Sequence, residues 1–520
     1  MKSIFSDQIS QIGDKLIEFC ENHEAIYLYG AGYRGTRLCQ VLRRNSNVNL
    51  QGFVISSGEE HRKFGLPVVP VADANFGDNC GVIIAFEGAD YADIQRRIEG
   101  RADILHFPDK MFGVLLQRLC IENAVQDFDL QSAGTIPEKS GWNNILIIRL
   151  DVIGDLVMTT PFLREIRKNA PDSHITLVVN KANEMLLRYC PYISELILYT
   201  PDDTEATELD DTNVSALKDK VKKYVRDYLQ YRHYDIAFLP RQFLAGRYAI
   251  EEFLLLCAAG ANSTVCRVNN HCQESMWWNI FSKIYCERGE QHEVKYMLDM
   301  LALCGCTIED DNMELWISQG EKIYAKNLLN SFQFSCRIAV GLVGRNVPKK
   351  NWPERKYRDF IIRMIERYGK KIGFVLFGGD DASPTAKAIL QGCSENEQQI
   401  LDLTGKTDLA QAAAVMQECH LYVGAETGVK HIAAAVHLPV VELSYSLPDS
   451  TINNESDPRR FGAWGVPRIV LRPQKGLDGC KKCCQKNYPH CITQITVEEV
   501  TKAVETILFD HENPILEMNR

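Results

Sequence analysis

The stretch 144–162, NILIIRLDVIGDLVMTTPF, constrains the fold more than any other part of the chain. Ile145 to Ile148 and Leu150 are apolar around one charged residue, Arg149. That composition suits a strand buried on both faces of a parallel sheet. Asp151-Val152-Ile153-Gly154-Asp155 follows, and then a helix-compatible run. An open α/β sheet builds its ligand site at such junctions, beyond the carboxyl ends of its strands. Asp155 is therefore the candidate catalytic base. The plainer reading is a cap, because Asp also favours helix N-termini.

Similar junctions recur along the chain. Ala25 to Tyr29, Gln51 to Ile55 and Gly81 to Ala85 read as strands of a first unit, 1–140, whose polar end from Ser132 to Gly141 reads as a linker. A second unit, 141–330, opens with strand 145–150 and continues with strands at 175–179 and 236–239. Its six acids between Asp202 and Asp211 read as a solvated insertion. A third unit, 331–520, has strands at 338–342, 373–377, 421–423 and 440–443. Strands alternating with helices predict α/β units with parallel sheets, the first of them Rossmann-like.

A chain of 520 residues supports two or three such domains. With a net charge of −10, general nucleic-acid binding is not expected. Charges interrupt every apolar run in the first 30 residues, unlike a signal peptide. No stretch approaches the roughly 18–20 apolar residues of a membrane helix. The expected location is the cytoplasm, with peripheral membrane contact and homo-oligomer formation left open. Most of the 18 cysteines stand singly in apolar segments, as small core residues of a reducing compartment do.

Three further places carry chemistry. Gly30, Gly32 and Gly35 form a G-x-G-x-x-G between a strand and a helix, a nucleotide-binding signature. No acid stands at the end of the next strand, Phe53-Val54-Ile55-Ser56-Ser57, so the signature is half complete. The glycines equally suit a tight strand–helix turn. Lys349-Lys350-Asn351-Trp352-Pro353 follows strand 338–342, where a lysine can meet a phosphate as a point charge. Two solvated loop lysines are the plainer reading. Gly424-Ala425-Glu426-Thr427-Gly428-Val429-Lys430-His431 follows strand 421–423. Small residues there let a ligand approach the backbone, and a helix start attracts anions. Glu426 can hold ribose hydroxyls, and His431 can reach a phosphate or serve as a structural helix histidine.

These segments, in collinear order over 143–505 and joined by LDLTGKTDLAQAAAVMQECHLYVGAETGVKHIAAAVHLPVV and HCITQITVEEV, resemble glycosyltransferase family 9, the ADP-heptose heptosyltransferases of lipopolysaccharide assembly. The resemblance implies a GT-B fold, two Rossmann-like halves about a cleft, fused here to an N-terminal Rossmann-like domain. Residues 141–330 would be the acceptor half and 331–520 the donor half. It implies inverting transfer of a sugar, ADP-heptose being the expected donor, with no cofactor required for catalysis. The acceptor would be a lipopolysaccharide or other glycan, a lipid-linked precursor or a protein hydroxyl. Carried over by residue, the base falls on Asp155, a phosphate contact on Lys350, a nucleoside-binding acid on Asp380, and the D-T-G-x-x-H motif on Glu426, Thr427, Gly428 and His431. Glu426 departs from the usual Asp, and its extra methylene extends the carboxylate by about 1.5 Å. Asp151 departs from the small polar residues common in the first loop. The alternative is a non-catalytic nucleotide-sugar-binding scaffold whose site these two departures mark as decayed.

Near the C-terminus stand Cys480, Cys483, Cys484, His490 and Cys491. A C-x-x-C with another Cys and a His nearby has metal-ligand character. Cys480, Cys483 and Cys491 would supply thiolates, with Cys484 or His490 as the fourth ligand. The expectation is a structural iron or zinc site; some relatives in the resembled family hold iron in such a loop. The alternative is a loop of reduced, unligated cysteines.

Overall fold

The computed structural model describes residues 7–509 except 32–34, 36–37, 40–41, 44–47, 57–60, 85–90, 107–134, 202–210, 230–232, 243–247, 269–280, 344–347, 452–456, 478, 481–483 and 485. The chain forms two compact units, Met1–Ile148 with Pro201–Cys286, and Arg149–Thr200 with Glu287–Arg520.

The first unit contains a sheet built from β1 (Ala25–Tyr29), β2 (Leu50–Ile55), β3 (His61–Lys63), β4 (Leu66–Pro70), β5 (Cys80–Ile84) and β6 (Asp103–His106). Their order is β3-β4-β2-β1-β5-β6, parallel except for the hairpin partner β3. Tyr29, Val54, Val82 and Ile84 point into one core. The strand order reverses between β1 and β5, so the turn at Gly30 lies at the switch point of a Rossmann-like sheet. The same unit holds parallel strands β7 (Asn144–Arg149, whose last residue opens the second unit), β10 (Ile236–Gln242), β11 (Thr264–Val268) and β12 (Lys283–Cys286). The second unit holds β8 (His174–Asn180) paired in parallel with β9 (Glu195–Tyr199).

The second unit also contains a complete sheet of β13 (Cys336–Gly341), β14 (Ile372–Phe377), β15 (Ile400–Asp402), β16 (Leu421–Ala425), β17 (Val440–Leu443) and β18 (Arg468–Leu471). All are parallel, in the order β15-β14-β13-β16-β17-β18. The order runs one way to β13 and the other way from β16. Every residue of β14, β16 and β17 is buried, which explains their unbroken apolar runs. Helices Leu409–Gln417 and Val497–Leu508 start with capping boxes, Asp408 with Gln411 and Thr496 with Glu499. Trp352 is fully buried and its indole N–H donates to the Ile495 carbonyl at 3.0 Å. That anchor fixes the loop carrying Lys350 and Asn351.

Arg460 holds this unit together electrostatically. Its buried guanidinium meets Glu287 twice, at 2.8 and 3.1 Å, and Glu293 at 2.8 Å. Burial disfavours its charge, but Glu293 and Glu287 outweigh that and raise its pKa. Arg460→Met would remove the cation that two buried carboxylates share. The expected cost is about 3–5 kcal/mol, read as a fall in the urea midpoint of the transition that reports on this unit. An unchanged midpoint would refute the assignment.

Among the described residues, no helix is long and apolar enough to cross a membrane.

Candidate functional site

The strand reversal sets the geometry. Gly341 on β13 and Gly424 on β16 lie opposite each other. A Cβ at either would strike the Tyr422 hydroxyl, at 1.8 and 2.6 Å. Just beyond β16 come Glu426, Thr427 and the helix Gly428–Ala435. Thr427 occupies the N-cap in extended backbone, but its side chain makes no capping hydrogen bond. The Thr427 hydroxyl lies against the Tyr422 phenol without a directed hydrogen bond. The helix start therefore keeps donor capacity for an anion.

Lys350 reaches this place from the loop after β13 and forms an ion pair with Glu426. Its ammonium also stands 5.9 Å from the centre of the Tyr445 ring, and that of Lys349 stands 5.5 Å from it. The longer side chain of Glu426 is engaged with Lys350. His431 is buried in the first turns of the helix. Burial, with the positive neighbours Lys430 and Lys350 among others, holds its imidazole well below the ordinary range. The ring is neutral at pH 7, and its Nδ1 has no hydrogen-bond partner; neither has the buried Oδ1 of Asn351. Such groups cost roughly 1–3 kcal/mol each when left unpaired. Lys430 plays a different part. It is fully buried and pairs with Glu442 at 2.9 Å.

Asp155 lies in the first turn of the helix Ile153–Met158. Two glycines bring that helix against the start of Gly428–Ala435. A Cβ on Gly154 would stand 2.8 Å from His431 Cδ2, and one on Gly428 would stand 2.9 Å from Ile153 Cβ. Asp155, Gly428 and His431 are thus assembled in one unit from distant parts of the chain. Beside them lies Arg149, which belongs to none of the sequence motifs. Its Nη1 stands 3.1 Å from Asp151 Oδ2 and its Nη2 stands 3.7 Å from Asp155 Oδ1. The signal was present, since an arginine inside an apolar strand needs a buried counter-charge.

Asp380 opens a short turn, Asp380–Ala382, beyond β14 and is exposed. Its carboxylate rests over Gly405, where a Cβ would stand 2.0 Å from Oδ1 and where φ is +67°. In the N-terminal unit, Gly30 has φ +97° and a Cβ on Gly35 would stand 1.8 Å from the Gly30 carbonyl oxygen. Both glycines are required by the backbone itself. Gly32 lies outside the described residues.

Near the C-terminus, Cys480, Cys484, His490 and Cys491 are all buried, with one ligand atom of each within 4.8 Å of the others. His490 Nδ1 stands 3.8, 3.6 and 3.4 Å from the three sulfurs in that order. Tetrahedral zinc with Zn–S of about 2.3 Å and Zn–N of about 2.0–2.1 Å has S···N edges of about 3.6 Å. The cluster could therefore bind a metal ion. Burial raises the Cys484 thiol, but hydrogen bonds from the Cys491 and Lys486 backbones and from His490 and Cys491 outweigh it and bring it down to about 7. His490 stands among the ligands; Cys483 lies outside the described residues.

The fold is the GT-B fold, with an additional N-terminal Rossmann-like sheet. Residues 254–487 match the family described as glycosyltransferase family 9 (heptosyltransferase). It is 27% identical over 206 residues to lipopolysaccharide heptosyltransferase 2 of Escherichia coli (strain K12), covering 38% of this chain and 54% of the relative. The chain thus spans about half the length of that relative. It is 24% identical over 298 residues to lipopolysaccharide heptosyltransferase 3 of the same strain, covering 56% and 79%. The solved family 9 glycosyltransferase of Veillonella parvula DSM 2008 superposes with a TM-score of 0.57 at 21% identity, covering 72% of this chain and 99% of that one. Residues 254–487 and the sequence relatives thus place the similarity of this chain among heptosyltransferases.

Proposed function

We propose that the chain transfers heptose from ADP-heptose, with inversion, to a hydroxyl of a lipopolysaccharide, another glycan, a lipid-linked precursor or a protein, in the cytoplasm. One observation carries the reading. At the reversal between β13 and β16, a lysine–glutamate pair, an uncapped helix start and a neutral, unpartnered histidine lie together. A sugar nucleotide offers each a complementary group. Its diphosphate takes Lys350, the Thr427 hydroxyl and the first N–H groups of Gly428–Ala435, and Glu426 turns from Lys350 to the ribose. His431 donates to a phosphate oxygen without adding charge, and Asp380 contacts the nucleoside. Asp155 removes the acceptor proton as the new bond forms. The departing diphosphate is stabilised by Lys350 and the helix start as its charge grows. Closure of 141–330 on 331–520 would exclude water from the donor. Residues 1–140 would position an acceptor or mediate assembly of a homo-oligomer, and Gly30 and Gly35 would serve a tight turn. The Cys480–Cys484–His490–Cys491 cluster would hold a structural iron or zinc ion.

Calorimetric titration with ADP, UDP, GDP and NAD tests the donor site. The expected result is selective ADP binding, weakened by about 10–100-fold in Lys350→Ala through loss of a charged hydrogen bond. NAD binding that survives this change, or no nucleotide binding at all, would overturn the reading.

A further inference from the structure

We infer that Arg149 and Asp151 are positioning residues that together set the proton affinity of Asp155; this rests on the reading of Asp155 as the base. Arg149 ends β7 and is 1% exposed. A guanidinium so deeply buried must be compensated. Two carboxylates compete for it, and the competition is unequal. Asp151 Oδ2 stands at 3.1 Å, off the line of the N–H bond, so the contact is an ion pair without a directed hydrogen bond. The Asp151 side chain is only 7% exposed, and Asn183 Nδ2 donates to its backbone carbonyl at 2.8 Å. Asp151 is therefore the fixed partner. Asp155 Oδ1 lies farther away, at 3.7 Å, on a side chain 27% exposed. Its backbone carbonyl accepts from Thr159 Oγ1 at 2.8 Å, which fixes the turn that carries the carboxylate.

This division suits a base. An Asp beside an undivided Arg⁺ typically has its pKa lowered by about 1–3 units and holds a proton poorly. A carboxylate beside another carboxylate, with no cation, is protonated too easily. Sharing one cation between Asp151 and Asp155 lies between these limits. The titratable groups of the helix packed against Asp155 do not supply this cation. On the helix packed against it, His431 is neutral and Lys430 is committed to Glu442.

Charge and position make opposite predictions for two single changes. Asp151→Asn removes the like charge and leaves Arg149 to Asp155, so Asp155 titrates lower. Arg149→Met removes the cation that the two carboxylates share, so Asp155 titrates higher, by about one pH unit or more. The experiment is carboxyl ¹³C NMR titration of the full chain with labelled aspartate. The Asp155 resonance is assigned by its disappearance in Asp155→Asn. Shifts of opposite sign support the inference; no shift, or shifts of the same sign, overturn it. If Arg149→Met does not fold, Asp151→Asn decides alone: a lower midpoint supports the inference, and an unchanged or higher one overturns it. The readout needs no turnover. If Asp155→Asn keeps its transfer activity, the reading of Asp155 as the base fails whatever the titration shows.

Discussion

Asp155→Asn is expected to lower sugar transfer by about 10²–10⁴-fold, the usual worth of a positioned general base, while leaving ADP affinity within about twofold. An acceptor hydroxyl is a poor nucleophile until its proton has somewhere to go. The amide keeps the shape of the carboxylate and cannot take the proton. Structural damage should be small, because Arg149 keeps its nearer partner Asp151 at 3.1 Å. Donor binding should survive, because the groups proposed to hold the diphosphate are Lys350, Thr427 and the helix start. Parallel measurement of transfer rate and ADP affinity checks both halves. Near-normal transfer would remove Asp155 from the mechanism, and loss of both together would indicate a role in donor binding instead.

The second large effect is expected at the cysteine cluster. Cys480, Cys484 and Cys491 lie in the same buried core as Trp352, Ile492, Ile495 and Val500. The loop they close is thus continuous with the anchor beneath Lys350. Structural zinc in small domains contributes about 10–16 kcal/mol of apparent binding energy, coupled to folding. Losing even about 3 kcal/mol of this would lower a melting temperature by about 6–12 °C in a domain of this size. The purified protein should carry about one equivalent of iron or zinc. Cys491→Ala should lose it and melt correspondingly lower. Elemental analysis well below one equivalent, with an unchanged melting temperature in the variant, would show that the cluster holds no structural ion.

The central strands were legible in the sequence because they are buried on both faces. The apolar runs at 145–150, 338–342, 373–377, 421–423 and 440–443 correspond to β7, β13, β14, β16 and β17, with ends differing by one or two residues. Edge strands were less legible. β3, β15 and β18 are only 3, 3 and 4 residues long and partly polar, so neither length nor alternation sets them apart from loops. At the site, local chemistry was readable and assembly was not. Nothing in the local pattern shows that Gly154 makes room for His431, since that contact depends on tertiary packing. Arg149 sits in a run that reads as a buried strand, and nothing local ties it to Asp151, which stands out only as a departure from the pattern of the resembled family. Glu426 is the reverse case. Its extra methylene was visible in the sequence, and the structure shows that this reach serves an ion pair with Lys350.

The most direct measurement is a crystal structure of the full chain with ADP. The account predicts the diphosphate against Lys350 and the first turn of Gly428–Ala435, the ribose at Glu426, His431 within hydrogen-bonding distance of a phosphate oxygen, and Asp155 uncovered for an acceptor. ADP bound at the Gly30–Gly35 turn, with the Lys350–Glu426 pair still closed, would contradict it.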